Sequence, residues 1–276
     1  MLQYRLISRL MLVTAVLALV ALAARPASST PAIAQDHLKD INNWAELLPE
    51  PVFQKILEDS VKSLQQMTRS SSEFNRQAKA VGNEAYSLIT FAEVLRRAND
   101  GDMAQKAILL AATARDLAAA AKKKNLEDAK KHVATLANLK KAKADGDLKP
   151  LGEPLKELVP VHNLMEQVQV VNKEMIKYRR MKDADLKAKG KSDEVLRNAH
   201  RLSAYSVAIT AHVPEKDFPK GKTKEDWFKA TEEMRKATLE IATAAKAKNQ
   251  SNLRTAINKM DAACTKCHDD FRVETN

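Results

Sequence analysis

Only two cysteines stand among 276 residues, so no disulfide framework holds this chain together. Six glycines and a 4% aromatic content come with no alternating apolar-polar runs, and no segment reads as a strand. Scarce aromatics also argue against nucleic acid as a partner, since few side chains are left to stack on bases. The longest apolar run, residues 10–24, is short of the roughly twenty residues a membrane span needs. What is abundant is alanine, lysine, leucine and glutamate, a helix-forming composition. The expected fold is all-α.

The apolar run belongs to a recognisable leader. Arg5 and Arg9 precede it, and small residues follow, ending in Ala32-Ile33-Ala34. This is the pattern of a secretory signal peptide, residues 1–34, cut after Ala34. An uncleaved anchor is the alternative. The leader carries three arginines (Arg5, Arg9, Arg25) and no acid, so its removal lowers the net charge from +11 to +8. The expected location is the periplasm or another exported compartment. A basic exported chain suits an acidic partner or an anionic envelope surface. The lysine clusters at 122–124 and 140–143 read as solvated helix faces.

Both cysteines fall in one five-residue stretch, Cys264-Thr265-Lys266-Cys267-His268, close to the end of the sequence. Cys-x-x-Cys-His is the attachment pattern of c-type haem, in which two thiols add to the ring vinyls and the imidazole ligates iron. On a helix, positions i, i+3 and i+4 share a face, so all three side chains point the same way. A structural zinc site would need a second ligand pair, and none is present. A thioredoxin-like dithiol would need a βαβ context, which is also missing. His37, His132, His200 and His212 show no paired ligand spacing and read as surface or capping residues. Covalent haem fits export, because c-type attachment takes place outside the bacterial cytoplasm.

The chain repeats itself. "AAAAKKKN" at 118–125 aligns with "ATAAKAKN" at 242–249, and the apolar positions on either side stay in phase without a gap. At the end of that alignment Lys140 stands opposite Cys264, Lys143 opposite Cys267 and Ala144 opposite His268. The first copy therefore keeps the helix and lacks the attachment chemistry. Gly146, Pro150, Gly152 and Pro154 interrupt the helical pattern between the copies. The expected organisation is two tandem antiparallel four-helix bundles: 35–148 without haem, a linker at 149–159, and 160–276 with one haem. Helices are expected near 52–77, 79–98, 102–122 and 126–144, then near 160–181, 193–212, 224–247 and 250–272. Thr223 with Asp226 has the spacing of a capping box.

A C-terminal Cys264-x-x-Cys267-His268 followed by Asp269-Asp270-Phe271-Arg272 resembles the class II c-type cytochromes, the cytochrome c prime group. The resemblance covers about 160–276 and is specific over the last helix. It implies a four-helix bundle with one haem c on that helix, His268 as axial iron ligand, and Phe271 and Arg272 near the ring. It also implies a choice set by the first helix of the bundle. A methionine there gives six-coordinate iron suited to electron transfer. An apolar residue leaves five-coordinate iron that binds NO or CO. Met165 is the candidate sixth ligand, with ordinary core packing as its other role; His162 and Met175 are its rivals. In the first copy, Ile56 or Leu57 is expected at the corresponding place. Trp227 is expected in the core or against the ring. The functional expectation is an electron-transfer protein with an acidic redox partner, not an enzyme. Gas binding, or docking of a partner through the haem-free copy, stands as the alternative, and a homodimer stays open.

Overall fold

The computed structural model describes residues 43–141, 150–152, 154–214 and 218–271, together with Leu38 and Ile41. The leader, His37, Lys143, Ala144 and Arg272 lie outside the described residues. Among the described residues there are eleven α-helices and no strand, so the fold is all-α. They are α1 (Trp44–Leu47), α2 (Glu50–Met67), α3 (Ser71–Ala98), α4 (Gly101–Lys122), α5 (Leu126–Asn138), α6 (Leu155–Leu158), α7 (Val161–Arg179), α8 (Asp183–Lys187), α9 (Lys191–Ala211), α10 (Lys224–Lys246) and α11 (Gln250–Phe271).

The long helices associate in two cyclic sets. Helices α2, α3, α4 and α5 touch in that order, with α5 returning against α2, and α7, α9, α10 and α11 do the same. The two sets have matching interiors. In α2 the buried positions are Phe53, Ile56, Leu57, Ser60, Leu64 and Met67; in α7 they are Leu164, Gln167, Val168, Val171, Met175 and Tyr178, with identical spacing. Each is entered the same way, with a one-turn helix and then Pro49 or Pro160 at the N-cap. Proline is tolerated there because the first helical N–H groups need no intrahelical partner. The one-turn helix α6 occupies the second half of the segment expected to be linker.

The ends of α4 and α10 match in finer detail. Both close with a lysine in the left-handed region, Lys124 at φ 53° and Lys248 at φ 50°. The next N–H reaches back into the last turn, Asn125 to the Ala120 carbonyl at 2.9 Å and Asn249 to the Ala244 carbonyl at 3.0 Å. This is the Schellman pattern, a position that glycine usually fills. Its satisfied carbonyls hold lysine in a conformation that disfavours a Cβ.

Where structure and expectation differ, local capping is the reason. The break between the first two long helices falls at residues 68–70, not near 78, because the Ser70 hydroxyl accepts from the Glu73 N–H at 3.3 Å and starts α3. Helix α5 ends at Asn138, short of 144; the Asn138 side-chain amide donates to the Ala134 carbonyl at 2.9 Å. The Thr223–Asp226 capping box forms, with reciprocal bonds of 3.0 and 3.3 Å.

The two sets meet along α3 and α9, with α2 and α7 flanking. Phe91 of α3 stacks on Tyr205 of α9 with centroids 5.5 Å apart. These two residues hold corresponding places in their helices: Val81, Ala85 and Leu88 precede Phe91 at the spacing at which Val195, Ala199 and Leu202 precede Tyr205. The seam is also polar. The Tyr205 hydroxyl donates to Ser87 Oγ at 2.9 Å, Arg201 reaches Glu84 at 3.4 Å, and Arg197 pairs with Asp59 at 3.1 Å. Glu166 accepts from Asn83 at 2.8 Å and pairs with Lys79 at 2.6 Å.

His200 is not a surface residue. It is 1% exposed, and its Nδ1–H donates to the Leu47 carbonyl across the seam at 3.1 Å. Burial pushes its pKa down from 6.5 to about 4. The folded imidazole stays neutral while the unfolded one takes up a proton, so its contribution is full above pH 6.5 and is lost as pH falls toward 4. Chemical denaturation from about pH 7.5 to about pH 5 should show a loss of about 2 kcal/mol that His200→Gln largely removes. Separately, Lys124→Gly should raise stability by about 0.5–1 kcal/mol by relieving the left-handed lysine, read as an increase in Tm.

Candidate functional site

Helix α11 is phased by its buried stripe. Leu253, Ile257 and Met260 are fully buried, and each such side chain contributes about 1.5–3 kcal/mol. Continuing the stripe brings Cys264 and Cys267 to the edge of the core, half-buried, with His268 beside them and exposed. Burial pushes both thiols up to about 11; Cys267 adds to the effect on Cys264, and Asp270 to that on Cys267. Their burial keeps both as neutral thiols. Among the described residues, no group of three or more His, Cys, Asp and Glu side chains is placed to hold a bare metal ion.

The thiols and the imidazole share a cavity of about 260 Å³ with residues of three other helices. Met165, Val168 and Asn172 come from α7, Ile209 from α9, and Ala230 and Met234 from α10. The small Ala230 and Ala263 leave room on two walls. One polar atom on the wall is unanswered: Asn172 Oδ1 is buried with no hydrogen-bond partner. The donor set therefore fits a flat apolar ring carrying iron. It offers two neutral thiols and an imidazole on one helix face, thioether sulfurs on other helices, and apolar wall at Val168, Ile209, Ala230 and Ala263, with Gln169, Asn172, Thr231 and Asp261 as polar lining.

The rivals to Met165 point elsewhere. His162 is largely exposed and pairs with Glu166 at 3.0 Å on the side facing α3. Met175 is fully buried and does not line the cavity. Phe271 packs edge-on against Trp227 at 5.2 Å and near Phe218 at 6.4 Å, and it is absent from the cavity wall. Trp227 is buried, and its indole N–H donates to the Ile209 carbonyl at 3.2 Å, tying α10 to α9 behind the cavity. Sequence reasoning missed Met234. It lies on the buried stripe of α10 with Trp227, Thr238 and Ile241, but no spacing set its wall position apart from ordinary core.

The end of α11 is held by charge. Asp270 takes Lys266 at 2.9 Å and Lys222 at 3.0 Å, and these cations keep its carboxyl below the usual range. The Lys220 ammonium donates to the Asp269 carbonyl. Together they fasten the 219–222 turn onto the last turn of the helix that bears the cysteines. Asp261 pairs with Arg179 at 3.3 Å, joining α11 to the end of α7.

If the two thiols attach a ring, a denaturing gel stained for haem should colour the intact chain. The double change Cys264→Ser with Cys267→Ser should abolish that colour, and intact mass should show one haem added per wild-type chain.

The family model described as Cytochrome C' matches residues 165–272, from Met165 on α7 past the end of α11. No curated protein and no solved structure matches the chain. Over residues 165–272 the chain is similar to the Cytochrome C' family, whose members carry a covalently attached haem c.

Proposed function

We propose that the protein is an exported c-type cytochrome that carries one haem and transfers electrons, with His268 and Met165 as the axial pair. The observation behind this reading is the shared cavity: Met165 of α7 lines it together with Cys264, Cys267 and His268 of α11. When bound, the haem supplies the reversible one-electron couple. The chain supplies the rest. Cys264 and Cys267 hold the ring on one helix face, and Val168, Ile209 and Ala230 exclude water from it. A thioether and an imidazole held on separate, packed helices need little rearrangement when the charge changes. The Asp270–Lys222 and Asp261–Arg179 pairs keep α11 from shifting against its neighbours.

The leader suits export, and the basic balance left after its removal suits an acidic redox partner. In this reading the N-terminal unit, 35–148, is a copy of the 160–276 unit that has lost the attachment residues. The matched burial stripes, the two proline entries and the paired left-handed lysines support that reading. No catalytic role is assigned; the protein carries electrons and transforms no substrate.

The test is spectroscopic. Wild type should show low-spin, six-coordinate iron. Met165→Leu should give high-spin iron that binds CO rapidly, and Met234→Leu should leave the spectrum as it was. Wild type that is already high-spin, with no change in Met165→Leu, would assign Met165 to packing and make the protein a binder of NO or CO.

A further inference from the structure

The N-terminal set has a cavity of its own, and it stands where the C-terminal set has the haem cavity. It measures about 320 Å³, against about 260 Å³ for the other. Leu57, Leu95 and Leu110 line it from α2, α3 and α4, as Val168, Ile209 and Met234 line the other from α7, α9 and α10. Within the matched stripes of α2 and α7, Gln54 takes the place of Met165; of the two residues expected there from sequence, Ile56 faces the core away from the cavity and Leu57 lines it in the place of Val168. By the alignment of the repeats, Lys140 stands where Cys264 is and Lys106 where Ala230 is.

A haem pocket with no haem to hold has no reason to stay open. Close packing is the default for protein interiors, and an unfilled recess forfeits dispersion contacts along its leucine wall. The substitutions do not close it. Leu139 in place of Ala263 and Lys106 in place of Ala230 add bulk, while Ala107 in place of Thr231, and Met103 where Trp227 stands behind the other cavity, remove it. They change the chemistry instead, from thiols that bond a ring covalently to ammonium groups. Lys106 is mostly buried along its stem and pairs with Asp102 at 2.8 Å, while Lys140 is exposed at the mouth. Among the described residues lining it, Glu50 is the only acid, against these two lysines.

We propose that this second cavity binds, without a covalent bond, a small apolar molecule bearing a carboxylate. The leucine walls take the apolar body, and Lys106 and Lys140 take the acid group. A chain-like fatty acid and a flat tetrapyrrole carboxylic acid share this chemistry. The site does not depend on the C-terminal haem, whose presence is read independently by haem staining.

The test is equilibrium dialysis of the full chain, carrying its covalent haem, against dodecanoate, protoporphyrin IX and the neutral dodecanol. One equivalent of dodecanoate or protoporphyrin should bind, and the tighter of the two identifies the shape. Two partly exposed ion pairs together are worth about tenfold in affinity, so Lys106→Gln with Lys140→Gln should weaken the acid by about that factor and leave dodecanol unchanged. Gln54→Trp should block all three; circular dichroism confirms its fold. If neither acid binds, or if the double lysine variant binds both as wild type does, the proposal is wrong.

Discussion

The site depends on the packing of α11 between α7 and α10. Leu253, Ile257 and Met260 can be buried in one rotational setting of that helix only, and that setting decides where Cys264 and Cys267 emerge. A helix rotated by one residue would turn about 100° and carry the thiols to solvent. Core packing far from the cysteines thus sets the aim of the attachment residues. Surface ion pairs of this kind are individually weak. Asp261–Arg179 and Asp270–Lys222 matter here as register pins on a helix already held by apolar contact.

The same economy of packing explains the seam between the two sets. Matching helices α3 and α9 face each other, and corresponding residues, Phe91 and Tyr205, stack at their crossing. Around that apolar contact the seam is lined by side chains that differ between the two helices. Arg201, Glu84, Ser87 and His200 give it polarity that neither set needs for its own interior. Two of these groups are incompletely satisfied: Arg201 Nε and His200 Nε2 are buried without partners. Leaving a buried polar atom unmade costs about 1–3 kcal/mol, so the seam is held more by fit than by its hydrogen bonds.

Much of the fold was legible because helices announce themselves locally. Alanine-rich amphipathic stretches, Asn99-Asp100-Gly101, Asn125 and the Thr223–Asp226 box placed most boundaries within two residues. The errors fall where a boundary depends on one side chain. Ser70 starts α3 inside what reads as a continuous apolar period, and Asn138 stops α5 inside a lysine-rich run that looks helical throughout. His200 read as a surface residue because a lone histidine has no spacing to betray that its helix will be covered on both faces.

The sequence by itself determined the chemistry of the site. Two thiols and an imidazole three and four residues apart are a local pattern, and any helix would bring them to one face. It also determined that the N-terminal half lacks them, since both cysteines lie at 264 and 267. Only the tertiary structure decided which residues face them. Met165 and Met234 come to the cavity wall through the angles at which α7 and α10 pack on α11. Those angles are set by side chains distant in sequence, and no local period encodes them. The second cavity was hidden for the same reason: a void is a property of what four helices fail to fill between them.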